Sequence, residues 1–519
     1  MIDTSTAYKN AIAADTELST VEGSFRFIPD GAEEGAVASA TDARSQSDFS
    51  QVKTEGEASR FATLEPGRWK LDGTYEVYDP SSGVKTGFMS ASLCGSDGSF
   101  LTPPRLTYTM DGAYDIVGLT LFFDSAEHAT DVTVSYYDGD GELIASESFA
   151  DNTEPVWKID FPSLGVAAIA VDIDAWSEPY RFAKVGGILP GESFLFDATN
   201  TLSLEYSEHC APFADEFETP ELSITVDNSD HMFDIINPQG FMQYLRQMMR
   251  LTAMVGIWAS GWELIPMGDM HLYEWPSKQQ SETASFTCKP FISFLNNEKL
   301  MYQPTTTGTT TAADAAAFVF EQVGLRKYSV DESLADATVN AFWKYDDNLQ
   351  TVMQQLAIAV CGWWKLDREG YCRLLPISSE SVATIDYDAM YDAPEIEQTP
   401  KITRVNVIYW TYNPDDGGWD EHTLLVRAET DDGSQGEDIT SAFIPNEAAA
   451  QAVGEAALAY YAKRLKYSAT YRGDPALEAG DVVQVQNDYG LSDVLITSHT
   501  LTWDADNKLI GSFEGVGDA

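Results

Sequence analysis

Most of the chain has the pattern of β-strands. The run 221–229 alternates cleanly between apolar and polar residues, and the runs 118–123, 131–137 and 166–173 are further strand candidates. Alternation at every second residue places one face of a β-strand in a core and the other in solvent. Because turn residues separate the runs at short intervals, the pattern predicts antiparallel sheets. The predicted fold class is mainly β with α+β parts, arranged in several domains as antiparallel β-barrels and a β-sandwich.

Two segments, 312–323 and 348–360, instead have apolar residues at intervals of three and four, which is typical of helices. Gly324 follows the first segment closely and Gly362 follows the second. A glycine at that position favours the left-handed turn that ends a helix. The second helix runs directly into residues 363–375, which predict an aromatic β-hairpin.

An acidic, glycine-rich segment at residues 138–141 has two interpretations. A calcium-binding EF-hand loop requires glycine at its sixth position and glutamate at its twelfth. Leu143 and Phe149 stand at those positions here. The Asp-Gly pairs are therefore better explained as a tight hairpin between two strands.

The charge balance changes what the protein can bind. Its 519 residues include 82 acidic and 31 basic ones, a formal net charge of −51. Such a surface repels phosphate backbones and anionic lipids, so stable nucleic-acid binding and binding to an acidic membrane are both disfavoured. The excess acid is explained by solubility, by a salt-loving host, or by a surface past which DNA must move without adhering, and composition alone does not choose between them.

The remaining chemistry predicts no enzyme, metal or cofactor. The five cysteines form no Cys-x-x-Cys pair, and the six histidines are scattered singly. The sequence contains neither a Gly-x-Ser-x-Gly elbow nor a His-Glu-x-x-His motif. A carboxylate pair at glycosidase spacing would arise by chance among so many acids and carries no weight. No signal peptide or transmembrane run is found, which fits assembly in a host cytoplasm.

The block 68–190 resembles the galactose-binding-like, or discoidin-like, β-sandwich family. Residues 69–74 (Trp-Lys-Leu-Asp-Gly-Thr) open it, alternating strands follow, and residues 181–185 (Arg-Phe-Ala-Lys-Val) close it. The resemblance implies sugar binding through exposed aromatic side chains. The candidate glycan contacts are Trp157, Trp176 and Tyr114, although each is also explained as a core residue.

Three features in the rest of the chain resemble the hub proteins of bacteriophage tail tips. The first is the strand 222–229 ending in Asp-Asn-Ser, followed by Met-Phe-Asp at 232–234. The second is the helix, glycine and hairpin unit 349–375. The third and most specific is the turn at 473–483, Gly-Asp-Pro-Ala-Leu-Glu-Ala-Gly-Asp-Val-Val. Its structural residues are Asp474, Pro475, Gly480 and Asp481.

The hub resemblance implies a structural protein of the virion that closes the tail tube at the tail tip. It implies a homotrimeric ring that passes DNA, with an acidic lumen that does not hold it. The implied partners are distal tail or tail tube proteins, the tape measure protein and receptor-binding or fibre proteins, with a host cell-surface glycan as a further candidate. The alternative is a carbohydrate-binding adhesin or receptor-binding tail protein that recognises host glycans.

The resemblances together predict five domains. These are an N-terminal strand and loop of a hub barrel (1–67), the inserted sandwich (68–190), a hub β-barrel (191–305), an α+β domain (306–380) and a second β-barrel with a long helix (381–519). We also expect the turn to constrain the last strands, since Gly480 is suited to a positive φ. Replacing Gly480 by Val should therefore cost about 1–3 kcal/mol.

Overall fold

The computed structural model describes most of the chain. The described residues are 1–518 without 15–17, 30, 34, 54–57, 59–60, 64, 67, 69–85, 125, 216, 235, 238–244, 246, 276–280, 297, 301–307, 345–346, 416, 430–434 and 507. The predicted opening of the sandwich at 69–74 therefore lies outside the described residues.

The protein is mainly β, with 51% of the described residues in strands and 12% in helices, as the sequence predicts. In chain order the strands are β1 (Ser19–Phe27), β2 (Val37–Ala40), β3 (Phe88–Leu93), β4 (Arg105–Phe122), β5 (Ala129–Tyr137), β6 (Leu143–Phe149), β7 (Val156–Trp176), β8 (Phe182–Val185), β9 (Gly187–Leu189), β10 (Glu192–Asp197), β11 (Thr201–His209), β12 (Glu221–Asp227), β13 (Arg250–Trp258), β14 (Trp262–Glu274), β15 (Thr283–Pro290), β16 (Thr309–Thr311), β17 (Tyr328–Val330), β18 (Thr338–Asn340), β19 (Gly362–Leu366), β20 (Cys372–Pro376), β21 (Ser381–Ile385), β22 (Glu395–Gln398), β23 (Ile402–Asn413), β24 (Gly418–Arg427), β25 (Gln435–Thr440), β26 (Leu465–Arg472), β27 (Val482–Asn487), β28 (Gly490–Asp504) and β29 (Leu509–Gly517).

The helices are α1 (Thr6–Ile12), α2 (Phe49–Val52), α3 (Ala312–Gln322), α4 (Glu332–Ala335), α5 (Leu349–Ala359) and α6 (Glu447–Tyr461). None of these helices is long and apolar enough to span a membrane. The elements form two compact units. Met1–Ser24 and Leu195–Ala519 make the first unit, and Phe25–Phe194 make the second.

The first unit is built on a thirteen-stranded sheet. Its main path runs β10-β1-β13-β14-β15-β12-β11-β28-β29-β26-β22, with β27 on β28 and β21 on β27. The predicted closed β-barrels are wrong for the described strands, because the two ends of this path do not pair with each other. The reason lies in β28, which pairs with β27 through its first residues and with β11 through its last. Strands that the sequence assigned to two barrels therefore continue into one open sheet.

The last six strands of this sheet, β21-β27-β28-β29-β26-β22, enclose an apolar core. Ile385, Met390, Tyr467, Val485 and Phe513 are buried in it. Residues 386–394 connect β21 to β22 at the two edges of this set, and Met390 pairs with Tyr471 on the way. The predicted second barrel is thus replaced by an open sheet that still covers a core.

An α+β part follows, with α3 and α5 packed on a small sheet in the order β17-β20-β19. The predicted hairpin is confirmed as β19 and β20. Asn348 caps α5 by accepting a hydrogen bond from the Thr351 amide at 2.9 Å. The predicted C-terminal glycine of α5 is wrong. Cys361, with φ of 54°, takes the left-handed turn, while Gly362 begins β19, where a Cβ would lie 2.8 Å from the Leu375 carbonyl oxygen.

The sheet β24-β23-β25 completes the first unit, with α6 packed on its strands. Helix α6 approaches closely at Gly454, where a Cβ would lie 2.5 Å from Val426. A buried cluster that includes Val405, Val407 and Val453 fills the space between helix and sheet. The long helix predicted at the end of the chain is therefore confirmed, and it covers one face of a small sheet.

The second unit contains the sheet β2-β4-β7-β5-β6, with β9 also on β4, and the separate pair β3-β8. One face of the larger sheet is apolar and includes Leu106, Val134, Ile169 and Val171. The predicted hairpin at 138–141 is confirmed. It joins β5 to β6, and the Asp138 carboxylate accepts hydrogen bonds from two backbone amides of the turn at 2.9 and 3.0 Å.

The second unit begins earlier than the block recognised in the sequence. Residues 25–67, which the sequence assigned to the hub, lie in this unit. Strand β2 pairs with β4, and Val52 of α2 is completely buried in the same core. The Glu65 carboxylate is also buried and lies 2.7 Å from the Lys184 ammonium. The unit therefore depends on side chains that precede residue 68.

These contacts predict different behaviour for two excised fragments. A fragment covering residues 25–194 should unfold cooperatively in urea, because it keeps β2, α2 and both partners of the Glu65–Lys184 pair. A fragment covering 68–190 should lose cooperative unfolding, since it exposes the edge of β4 and leaves Lys184 buried without Glu65. Circular dichroism during urea titration measures both. Equal cooperativity and midpoint for the two fragments would contradict this expectation.

Candidate functional site

A cluster of ionisable side chains, most of them buried, lies where the β19–β20 hairpin meets the large sheet of the first unit. We call Glu208, Lys365, Arg368, Glu478 and His499 the charge cluster. Glu208 comes from β11 and His499 from β28. Lys365 and Arg368 come from the hairpin, and Glu478 comes from the turn at 473–481. Residues far apart in the sequence therefore meet at one point.

Arg368 is the central cation of the charge cluster, and its side chain is only 4% exposed. Its Nη2 donates to Glu208 Oε1 at 3.3 Å, and its Nε lies 3.8 Å from Glu478 Oε1. The guanidinium also stacks over the Tyr206 ring, 4.1 Å from the ring centroid. A planar guanidinium can satisfy a carboxylate and an aromatic face at once, which an ammonium does less well.

The two carboxylates of the cluster are both satisfied. Glu208 Oε1 accepts a further hydrogen bond from the Ala479 amide at 3.1 Å, so it also holds the turn. Glu478 Oε2 lies 2.9 Å from the Lys365 ammonium. The ring of His499 shares a hydrogen bond of 2.8 Å with the Tyr471 hydroxyl. Pairing of this kind offsets the large cost of removing charges from water.

The electrostatics of Glu208 follow from these contacts. Burial raises the pKa of this carboxyl, but the positive charge of Arg368 and the contact with His499 lower it more, to about 2. Burial likewise lowers the pKa of Arg368, and Glu208 reverses that effect and raises it. Both groups therefore remain charged across the pH range in which proteins fold.

The predicted structural turn lies directly beside the charge cluster. Asp474 Oδ1 accepts hydrogen bonds from the Tyr8 hydroxyl at 2.8 Å and from the Ala476 amide at 2.9 Å, which anchors the N-terminal segment. Burial raises the pKa of Asp474. Pro475 is buried inside the turn, and Asp481 Oδ2 accepts from the Glu478 amide at 2.9 Å.

Gly480 has φ of +86°, and a Cβ at this position would lie 2.1 Å from the Trp363 ring. Its amide donates to the Ile496 carbonyl, and the Ile496 amide donates back to Asp481, each at 2.9 Å. The turn therefore fixes both the start of β27 and its alignment with β28. Only glycine combines this backbone conformation with so close an aromatic ring.

The arrangement fastens a hairpin to a sheet and offers no reactive group to solvent. Burial raises the pKa of the thiols of Cys210, Cys288, Cys361 and Cys372, which keeps them protonated. Within the described part of the chain, no group of three or more His, Cys, Asp or Glu side chains could hold a metal ion. We therefore regard the charge cluster as a rigid joint between the β19–β20 hairpin and the large sheet of the first unit.

The three aromatic residues proposed as glycan contacts do not form one surface. Trp176 is only 2% exposed. Its ring packs against Phe123, and its Nε1 donates to the buried Glu127 carboxylate at 3.3 Å. Trp157 and Tyr114 are half-buried and pair with different parts of the β4–β7 ladder. The Tyr114 hydroxyl donates to Asp111 at 2.7 Å.

The sequence located the turn and the hairpin but not the charge cluster that joins them. Glu208 and Arg368 are 160 positions apart, and Glu208 and Ala479 are 271 apart. One signal was present, an arginine at the turn of a hairpin rich in aromatic residues. It gave no indication of which of many acidic residues would be its partner.

Comparisons with known proteins bear on the same region. Residues 349–499 match the model of a family described as a putative phage tail protein. This segment runs from α5 to His499 and includes Lys365, Arg368 and Glu478. No curated protein matches the sequence.

Several solved structures are similar to parts of this chain at low identity. The tail protein from Neisseria meningitidis MC58 is 12% identical, with 61% of this chain and 92% of that chain covered at a TM-score of 0.44. The 43 kDa tail protein of prophage MuSo2 from Shewanella oneidensis is 12% identical, with 62% and 95% covered at 0.42. Prophage tail protein gp18 from Listeria monocytogenes EGD-e is 10% identical, with 62% and 91% covered at 0.40.

The geometry at Gly480 predicts an unusually costly substitution. Gly480→Ala adds a methyl group against Trp363 at a positive φ, so we expect a loss of about 2–5 kcal/mol in the free energy of unfolding. Gly324→Ala is the matched control in the same unit. Gly324 has φ of +72° with nothing within 4 Å of an added Cβ, so only the backbone strain of about 1–2 kcal/mol should appear.

Chemical denaturation of the two variants measures this difference. Equal losses for Gly480→Ala and Gly324→Ala would show that Trp363 moves aside freely. The hairpin would then not hold the turn in place, and the charge cluster would be less rigid than its contacts imply.

The low pKa of Glu208 predicts a specific dependence on pH. An acid whose folded pKa lies below its ordinary 4.5 stabilises the protein above that value, and the gain is lost as pH falls towards 2. Glu208→Gln removes the charge at every pH. The difference in unfolding free energy between wild type and Glu208→Gln should therefore shrink by roughly 3 kcal/mol between pH 6 and pH 2.

Urea titrations at several pH values measure this difference. Glu205→Gln, on the exposed side of the same strand, is the matched control because Glu205 has no part in the charge cluster. A difference between wild type and Glu208→Gln that stays constant with pH would mean that the ion pair with Arg368 is not formed.

Proposed function

We propose that the protein is a structural subunit of a bacteriophage tail tip, a baseplate hub that closes the tail tube and connects it to the host-recognition apparatus. The observation that carries this proposal is the match of residues 349–499 to a family of putative phage tail proteins. The matched segment contains the hairpin, the turn and most of the charge cluster. The geometry of this segment is constrained by the contacts of Arg368 and Gly480.

The physical properties of the first unit support a structural role. A hub transmits force between neighbouring subunits and cannot let its parts move independently. The charge cluster opposes such movement, because separating the hairpin from the sheet would leave Arg368 and Glu208 buried without partners. One continuous sheet also leaves fewer unpaired edges than separate small sheets would.

The proposed assembly is a homotrimeric ring in the virion. Its partners would be distal tail or tail tube proteins, the tape measure protein and receptor-binding or fibre proteins. The net charge of −51 per chain is consistent with a channel that repels DNA phosphates at short range. Repulsion screened within about 8–10 Å at physiological salt acts at the wall and leaves the centre of the bore open.

A second candidate function is a carbohydrate-binding adhesin or receptor-binding protein. The observation that favours it is an open cleft on the second unit, over the outer face of its larger sheet. Arg105, Tyr137, Asp111 and Ala168 are among the residues that line it. Arg105 binds Asp172 through two hydrogen bonds of 2.6 and 2.7 Å, and such planar polar pairs suit the hydroxyl groups of a sugar.

The hub proposal predicts a ring of three chains. Three chains of 57.0 kDa give an assembly of about 171 kDa, which mass photometry resolves from a monomer. Negative-stain images of the same sample should show a central hole. A monomer at micromolar concentration that binds host glycans would contradict the hub and favour the adhesin.

A further inference from the structure

A small exposed patch at the tip of the β27–β28 hairpin is not explained by either function. Tyr489 at the tip is 100% exposed, Leu491 is 55% exposed, and Tyr387 from the segment after β21 is 36% exposed. We call these three residues the tyrosine patch. Aromatic side chains are costly to leave in water and are enriched in the centres of protein interfaces.

The tyrosine patch is held in one place by hydrogen bonds. The Tyr387 amide donates to the Gln486 side chain at 3.0 Å, and the Tyr387 hydroxyl donates to Asp488 Oδ1 at 2.9 Å. Gln486 lies opposite Leu491 in the ladder, so Tyr387 and the hairpin tip are neighbours. Gly490, with φ of +133°, makes the tight turn and has nothing within 4 Å of an added Cβ, so the tip faces open space.

The surroundings of the tyrosine patch carry charge of one sign. Neither 374–400 nor 473–507 contains a lysine or an arginine, and the adjoining strand β29 contains none either. Asp386, Asp388, Asp488 and Asp493 are all exposed. On the next strand, β26, Lys466 pairs with Glu514 at 2.9 Å and Arg472 donates to the Ala14 carbonyl.

We propose that the tyrosine patch is a docking site for a basic segment of a partner protein. Carboxylates bind guanidinium and ammonium groups, tyrosine faces attract the same cations, and Leu491 offers an apolar surface to their aliphatic stems. A second copy of this chain would bring acid against acid at this patch, and nucleic acids and anionic lipids are repelled in the same way. Docking of this kind does not depend on the proposed hub function.

The test uses the full-length protein and a fluorescent peptide of alternating arginine and leucine, twelve residues long. Fluorescence anisotropy at 0.15 M salt measures its affinity for wild type and for the double variant Asp488→Lys/Tyr489→Ser. We expect the double variant to bind about tenfold more weakly, since it removes an aromatic face and reverses a charge at the proposed contact. Its residues are exposed, and an unchanged melting temperature checks that the fold persists.

The matched control is Leu101→Ser/Asp140→Lys, which makes the same change in charge at two exposed positions of the second unit. We expect it to bind the peptide as wild type does, and a peptide of alternating glutamate and leucine to bind neither protein. Equal weakening of both double variants would overturn the proposal, because it would show diffuse attraction to the net charge. So would failure of wild type to bind, or self-association that Tyr489→Ser abolishes.

Discussion

The pairing of Arg368 with Glu208 is the interaction on which the rest of the first unit depends. Both groups are buried, and each would cost several kcal/mol if left without the other. Glu208 on β11 contacts the hairpin tip through Arg368 and the turn at 473–481 through the Ala479 amide. A single carboxylate therefore aligns three segments that are distant in sequence. The ion pair contributes a fixed alignment of these three segments, since an apolar pair could supply equal stability without fixing that alignment.

The same alignment explains why the sheet is continuous. Strand β28 begins against β27 and ends against β11, and the turn beside the charge cluster sets where β27 starts. Had the hairpin been free to move, β27 and β11 could have slid independently, and each slip of one residue would turn apolar side chains into solvent. The charge cluster and the large sheet therefore act together. The buried ions fix the register of the strands, and the backbone hydrogen bonds between strands carry that register across the sheet.

Local patterns predicted the elements well, because strand alternation and helix spacing are encoded by neighbouring residues. The hairpin 363–375 and the turn with Gly480 were found for this reason. The closed barrels were predicted wrongly, since closure depends on whether two edge strands pair, and β10 and β22 carry no local sign of that.

Cys361 shows a related limit of prediction from local sequence. Gly362, beside it, was expected to end the helix. It lies in the strand instead, where it packs too closely against Leu375 for a side chain. The charge cluster was not predicted, because any of 82 acids could have paired with Arg368.

The cations in the cores are paired with acids, so burial leaves the surface strongly acidic. The chain has 31 lysine and arginine residues, and three of those that the structure describes are buried. Arg68 and Lys184 are buried against acids in the second unit, as Arg368 is in the first. Each such pair is neutral and therefore leaves the net charge of the surface unchanged. Excess acids in turn repel one another and oppose folding, so the apolar cores and buried pairs must offset that cost.

A protein that retains such an acidic surface gains selectivity for basic partners and does not bind anionic polymers. The tyrosine patch, with no lysine or arginine on β21, β27, β28 or β29, is where this selectivity is concentrated.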